Sequence, residues 1–377
     1  MIKCEDLYKI FKKNGFEYFT GVPDSVFGDW MAFLSDMDGK GLTNRIAAIE
    51  RDAIGWASGY FAATGKIGVV YAQNSGLGNI VNPLTSLADK EVYGIPILLM
   101  VGWRGESGVK DEPQHIKMGK ITLPLLDILG VKYDFLPKDI EKAEKIINRI
   151  KKQIELTGRP HALIVRKGIF EKYTGKRKDT VDYELTREEA IKIIVEALSS
   201  GAAVIATTGK SSRELFEYRE TKKQGHKNDF LMVGSMGLAS SFGAEIALQK
   251  PNKKIFVFDG DGALLMSAGA LSTIGYYQPK NFVHIVFDNE SYDSTGGQPT
   301  TSVSSDLVKM ALANGYKAAK KIQSKKELKA AVKEFKKIKG PEMIIVKIRK
   351  GSRNDLGRPT ISPRENLKNF MAFLKEK

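Results

Sequence analysis

The chain reads as an α/β protein made of two doubly wound parallel-sheet domains. Apolar runs of strand length recur from end to end, and helical patterns lie between them. The length of 377 residues exceeds what one ordinary hydrophobic core encloses. An unbroken apolar run suits a parallel strand covered by helices on both faces, because neither face then meets water. In the first half these runs are IGVVYA (67–72), IPILLMV (95–101) and HALIVR (161–166). In the second they are AAVIAT (202–207), KIFVFD (254–259), FVHIVFD (282–288) and MIIVKI (343–348).

The helices follow in order. MIKCEDLYKIFKKNGF is expected to form an amphipathic helix and not a signal peptide, because acids and lysines interrupt any apolar core. RIAAIERDAIGWASGYFAATG and residues 139–155 carry further helical patterns. Thr186 and Glu189 have the spacing of a capping box that opens a helix over 187–199. ALLMSAGALSTIGYY (263–277) and residues 325–339 read as helices, and the last segment starts as loop and ends in a helix. The charged stretch EKYTGKRKDTVDYEL (171–185) is the expected linker between domains spanning 1–178 and 186–377.

Composition excludes several classes. The formal net charge is +15, yet no basic block is interleaved with aromatics and no nucleic-acid motif occurs, so the lysines read as a solvated surface. No nucleic-acid partner is expected, and a small anionic substrate fits the charge equally well. No apolar run is long enough to span a bilayer. Cys4 is the one cysteine, which leaves no disulfide framework and no thiolate metal site. A cytoplasmic location is the resulting expectation. A dinucleotide-binding G-x-G-x-x-G after a first strand is also missing, which argues against a dehydrogenase.

The chemistry concentrates at FVFDGDGALLMS (256–267). An apolar strand delivers Gly260, Asp261 and Gly262 to its carboxyl end, and the next strand ends at Asp288-Asn289. One β-α-β unit therefore brings Asp261 and Asn289 to the same sheet edge, where open α/β sheets bind ligands. Mg²⁺ keeps few protein ligands and takes the rest from phosphate and water. A carboxylate, an amide oxygen and a backbone carbonyl thus suit a Mg–diphosphate anchor. On its own, Gly-Asp-Gly after a strand is also an ordinary turn.

GDGALL followed by FDNES resembles the signature of the thiamin diphosphate enzymes. The resemblance implies a pyrimidine-binding domain followed by a diphosphate-binding domain, with thiamin diphosphate and Mg²⁺ as cofactors. It implies Asp261, Asn289 and the Ser291 carbonyl as metal ligands, with Asp288 replacing a usual asparagine at a non-ligating place. Gly260, Gly262, Ala263, Tyr292, Ser211 and Ser212 would line the cofactor. VGSMGLASSFGAEIAL (233–248) is similar to the segment beneath the cofactor, with Met236 as the wedge between its two rings; a core methionine in a Gly-rich turn is the alternative. Decarboxylation needs a cofactor as electron sink, and this one needs a carboxylate at its pyrimidine nitrogen. Glu50 is implied in that role, reaching the cofactor of a partner subunit, so a homodimer or higher oligomer is expected. An ion pair of Glu50 with Arg45 or Arg51 is the alternative.

GVPDS (21–25), NSGLGN (74–79), DEPQH (111–115), TGKSSREL (208–215) and STGGQPT (294–300) resemble the phosphonopyruvate decarboxylase family, of which sulfopyruvate decarboxylases are close relatives. The implied reaction is decarboxylation of 3-phosphonopyruvate to phosphonoacetaldehyde, a step in phosphonate biosynthesis. A single fused chain is expected to favour the phosphonate over the sulfonate. Ser25, Arg104, Lys210 and Arg213 are candidate contacts to a small anionic 2-oxo acid, each equally readable as a surface group. Asp24 and His115 are candidates for proton transfer, since histidine titrates near working pH.

Overall fold

The computed structural model describes residues 1–176, 182–293, 295–337 and 339–376. The chain divides into two compact units, one of Met1–Lys178 with Tyr292–Gln298, the other of Asp179–Ser291 with Pro299–Lys377. Part of the expected linker, 177–181, lies outside the described residues. A division of the chain near residue 180 does not foresee that Tyr292–Gln298 groups with the first unit.

In the first unit the strands are β1 (Tyr18–Gly21), β2 (Thr43–Ile46), β3 (Gly68–Gln73), β4 (Ile97–Gly102), β5 (Lys132–Phe135) and β6 (His161–Val165). They form one parallel sheet in the order β2-β1-β3-β4-β6-β5. Strand pleating explains the unbroken apolar runs, because successive side chains enter opposite cores. Val69, Leu98, Met100 and Leu163 join Phe11, Phe19 and Trp30 on one face, while Val70, Leu99, Val101 and Ile164 join Ile54 and Leu77 on the other.

The second unit repeats the plan with β7 (Ala203–Ala206), β8 (Asp229–Leu231), β9 (Ile255–Gly260), β10 (Phe282–Asp288), β11 (Ala318–Ile322) and β12 (Glu342–Lys347). Its parallel order is β11-β12-β10-β9-β7-β8. In each sheet the central strands end on the edge that carries the conspicuous polar motifs.

All seven expected strands form; β1, β2, β5, β8 and β11 escape the sequence patterns, as do the two-residue strands Ser291–Tyr292 and Gln298–Pro299. None contains an apolar run of useful length. Two helices also differ. The pattern over 263–277 divides into Asp261–Met266 and Gly269–Tyr277. The break at Ser267 faces a tight approach, since a Cβ on Gly237 would stand 2.4 Å from Ser267 Oγ. Glu50 is the first residue of the helix Glu50–Thr64 and not an interior one, because Thr43–Ile46 is strand. No helix among the described residues is long and apolar enough to cross a membrane.

The capping box at Thr186 is formed. The Thr186 hydroxyl accepts from Glu189 N at 3.1 Å, and the Glu189 carboxylate accepts from Thr186 N at 2.9 Å. Thr186→Ala should therefore cost about 1 kcal/mol, read as a lower denaturation midpoint with an unchanged slope; a midpoint equal to the parent's would refute this share of the helix stability.

Candidate functional site

The polar motifs assemble into two constellations, each within one unit. In the second unit, β9 and β10 pair with Gly260 opposite Phe287, so the next step of the ladder sets Asp261 beside Asp288 and Asn289 one residue further. The Ser302 hydroxyl donates to both carboxylates, at 3.1 Å to Asp261 and 2.9 Å to Asp288. Thr300 Oγ1 also donates to Asp261. Burial, then the charge of Asp288, pushes Asp261 up to about 7.

The countercharge comes from Lys347, which stands opposite Asp288 in the β10–β12 ladder. Its ammonium donates to Asp288 at 2.6 Å and to Glu290 at 2.5 Å. Burial opposes that positive charge, but the Asp288 carboxylate outweighs it and holds the lysine pKa above its usual range. Asp261, Asp288 and Lys347 are all nearly inaccessible. Lys347 reaches Asp288 and Glu290 but not Asp261, so Asp261 is the buried carboxylate left without a cation among the described residues.

Glu290 adopts φ 57°, and Asn289 Oδ1 accepts from Ser291 N at 3.0 Å, closing a tight turn. Ser291 Oγ is buried without a partner. A Cβ on Gly260 would meet no atom within 4 Å, so a bare backbone faces open space at the end of β9. Among the described residues no three or more His, Cys, Asp or Glu side chains cluster to hold a metal. A divalent ion here would draw on one carboxylate, an amide or backbone oxygen, and oxygens of a bound ligand, which fits Mg²⁺ and a diphosphate.

Met236 is presented by a tight turn in which Gly234, Ser235 and Gly237 all have positive φ, 71°, 49° and 90°. Gly262 and Ala263 are buried in the first turn after β9, and Tyr292 is buried just past the loop. Ser211 is buried in the helix Lys210–Thr221, which Lys210 begins, while the Ser212 hydroxyl donates to the carbonyls of Ala206 and Thr207 at 3.0 and 2.7 Å. Ser212 thus fixes the helix to β7. Arg213 donates to the carbonyls of Leu356 and Gly357, so those donors clamp the C-terminal segment.

In the first unit, Glu50 is buried, and its Oε2 accepts from Asn79 Nδ2 at 2.7 Å. It does not take either expected arginine; Arg51 instead faces Asp52 at 3.6 Å on the exposed side. A Cβ on Gly76 would lie 2.5 Å from Glu50 Oε1, so glycine at 76 makes room for the carboxylate.

Asp24 is fully buried after β1. Its Oδ1 accepts from Gln73 Nε2 at 2.7 Å and from Val26 N at 3.3 Å, while Oδ2 has no partner. Burial, only partly offset by the Gln73 bond, pushes its pKa up to about 6. Gly102 permits this placement, since a Cβ there would overlap Asp24 Oδ2 at 1.7 Å. His115 lies in the first turn of the helix Pro113–Ile128, with Nδ1 buried and unpartnered. Burial, then the nearby Arg104 charge, lowers its pKa. Arg104 pairs with Asp111 and donates to Ser25 Oγ at 3.2 Å. The other histidines are placed elsewhere: His161 against Asp134, His226 against Glu220, His284 between Asp259 and Tyr316.

Several neighbours of these groups had no assigned role in the sequence. Asn74, Asn79, Asp111 and Thr300 lie inside motifs that drew notice as strings, whereas Gln73, Ser302 and Lys347 carried no signal. Asp24→Asn offers a direct measure of the burial cost. Below the unfolded-state pKa both states carry the proton; between that value and 6 only the folded state keeps it, so the parent loses stability as pH rises. The variant should therefore gain on the parent between about pH 4 and pH 6 and hold a level advantage of up to about 3 kcal/mol above that. Unfolding curves with a pH-independent difference would contradict the assignment.

Comparison with known proteins places both halves of the chain in one enzyme family. The N-terminal TPP binding domain model of the thiamine pyrophosphate enzymes matches residues 4–122, and the C-terminal TPP binding domain model matches residues 207–346. A phosphonopyruvate decarboxylase of Streptomyces viridochromogenes is 37% identical over 325 residues, covering 82% of this chain and 80% of that protein. One from Streptomyces hygroscopicus is 33% identical over 392 residues, covering 100% of this chain and 95% of the other. A sulfopyruvate decarboxylase of Methanosarcina acetivorans is 31% identical over 351 residues, covering 87% of each. That last protein aligns with both halves in one chain, so a fused chain does not distinguish phosphonate from sulfonate as expected.

Proposed function

We propose, from the premise that this chain belongs to the family of thiamine pyrophosphate enzymes, that it decarboxylates 3-phosphonopyruvate to phosphonoacetaldehyde and CO₂. It is a thiamin diphosphate-dependent decarboxylase, and the phosphonate assignment follows the two relatives of that name with 33–37% identity. The observation that carries the reading is the buried Asp261–Asp288 pair beside Asn289, in which Asp288 takes the Lys347 ammonium and Asp261 has no cation beside it among the described residues.

In this reading Asp261, Asn289 and the Ser291 carbonyl hold Mg²⁺, and Gly260, Gly262 and Ala263 give the diphosphate a close approach to the backbone. Ser211, Ser212 and Tyr292 line the same cofactor. Met236 props its rings. Thiamin diphosphate, when bound, supplies the electron sink that no side chain provides. Glu50 holds a proton at the cofactor's pyrimidine nitrogen, with Asn79 fixing the carboxylate's other side. Asp24 and His115 have opposite shifts, acid up and base down, which suits a proton held on one and accepted by the other. Ser25 and Arg104 meet the substrate's acid groups, with Lys210 as a further cation. Arg213 is less suited, because its donors are engaged with Leu356 and Gly357. The active unit is a homodimer, following the family's use of the pyrimidine-domain acid across subunits.

A second reading takes sulfopyruvate as substrate, supported by the Methanosarcina relative. Release of CO₂ from each acid, with thiamin diphosphate and Mg²⁺ added singly and together, separates the two. Turnover of phosphonopyruvate that requires both additions is the expected result, and a higher kcat/KM for sulfopyruvate would reassign the substrate. Glu50→Gln should lose about a hundredfold or more in kcat while thiamin diphosphate still binds; near-normal turnover removes Glu50 from the mechanism. Asp261→Ala should weaken Mg²⁺-dependent cofactor binding at least about tenfold by calorimetry, and unchanged affinity would count against the metal assignment.

A further inference from the structure

Three loops at the carboxyl edge of the first sheet converge on Arg104. Its backbone is pinned by Asn74, just after β3: Arg104 N donates to Asn74 Oδ1 at 3.1 Å, and Asn74 Nδ2 donates back to Arg104 O at 2.8 Å. The same Nδ2 donates to Thr122 Oγ1 at 2.8 Å, tying the loop to the helix Pro113–Ile128. The guanidinium is pinned as well. Nε and one terminal nitrogen donate to the two oxygens of Asp111, at 2.8 and 2.5 Å, and the other terminal nitrogen donates to Ser25 Oγ at 3.2 Å.

Asp111 is itself fixed, accepting from the backbone N–H groups of Gly105 and Glu112 at 2.8 Å each. The arrangement tolerates little slack. A Cβ on Gly105 would lie 2.0 Å from His115 O, and one on Gly119 would lie 1.7 Å from Gly105 O. Two unpartnered buried atoms, Asp24 Oδ2 and His115 Nδ1, occupy the same loop cluster. A guanidinium held at backbone, fork and tip has one orientation, and its charge is already balanced by the acid on its fork.

We propose that Arg104 reads the substrate's acid group as an oriented hydrogen-bond donor with its charge cancelled in advance, and that Asp111 is the positioning residue that makes it so. The inference rests on the reading above, that these loops receive an anionic 2-oxo acid. It goes further in saying how the anion is selected. An unpaired arginine attracts any anion, phosphate included, whereas a paired and clamped one contributes direction more than net attraction. The substrate is then chosen by where its acid oxygens sit.

The test uses the full chain with thiamin diphosphate and Mg²⁺ bound. The probe is 3-phosphonopropionate, which carries both acid groups and no reactive ketone, so binding is read by calorimetry independently of turnover. Arg104→Lys keeps the charge and loses the fork, and it should weaken the probe about tenfold or more, within about threefold of Arg104→Gln. Asp111→Asn uncovers the arginine charge. Its affinity should fall several-fold between about 20 and about 200 mM salt, where the parent's changes less than about twofold. A merely structural Asp111 would lower thermal stability without steepening that salt slope. The proposal is overturned if Arg104→Lys binds within about twofold of the parent, if the Asp111→Asn slope equals the parent's, or if the parent does not bind the probe. Failure of the parent to release CO₂ from either 2-oxo acid would sink the function reading and leave the binding comparison intact.

Discussion

Burying two carboxylates side by side is the constraint around which the second unit is arranged. Asp261 and Asp288 end neighbouring parallel strands and share the Ser302 hydroxyl, with both side chains almost out of contact with water. Taking one unpaired carboxylate out of water costs several kcal/mol even after relaxation. Lys347 offsets one of them through the β12 ladder. The other is tempered by Thr300 and Ser302, but hydroxyl donors do not carry a full charge, and Asp261 accordingly binds its proton more tightly than usual. A divalent ion would relieve this, and the proton would leave as it bound. Around Asp288 stand Lys347, which also donates to Glu290, and Tyr183, which donates to Glu290 at 2.8 Å, as a supporting layer.

The first unit answers the same cost differently. Asp24 has no cation at hydrogen-bond distance, only Gln73 and a backbone N–H, so its burial is uncompensated and its pKa rises. Glu50 instead accepts from Asn79 Nδ2 at 2.7 Å. Glycines make both placements feasible. Gly76 and Gly102 leave the volume that the Glu50 and Asp24 carboxylates fill, and any larger residue there would displace the acid.

Legibility in the sequence followed chain separation and length. The strands with long apolar runs announced themselves because both of their faces are buried. Ala318–Ile322 did not, since Lys320 and Lys321 lie on an edge strand, where lysines discourage pairing with other chains. Tyr18–Gly21 lies inside its sheet and is wholly buried, but four residues including Thr20 and Gly21 make no run. The Asp261–Asn289 pair was readable because a strand, helix and strand of fixed geometry connect them. Thr300 and Ser302 follow β10 in a stretch of mostly irregular chain and return to Asp261 from 39 and 41 residues away, which no periodicity encodes. Asp111 was visible inside DEPQH, yet its bond to Arg104 crosses a Gly-rich loop whose path the sequence leaves open.

The contrast between the two acids beside Arg104 bears on how an anionic substrate would be handled. Asp111 takes the guanidinium's fork, so the cation is spent before any ligand arrives. Asp24, which feels the same arginine only weakly, stays without a partner on Oδ2 and keeps its proton up to about pH 6. If the pairing were reversed, Asp24 would give up its proton at lower pH, while Asp111 would have no guanidinium to fix the loop. The arrangement that exists raises the proton affinity of the interior acid and holds the arginine in one direction. That combination follows from which loop delivers each acid: the one after β1 buries Asp24 against Gly102, and the one after β4 folds Asp111 back onto the arginine that precedes it.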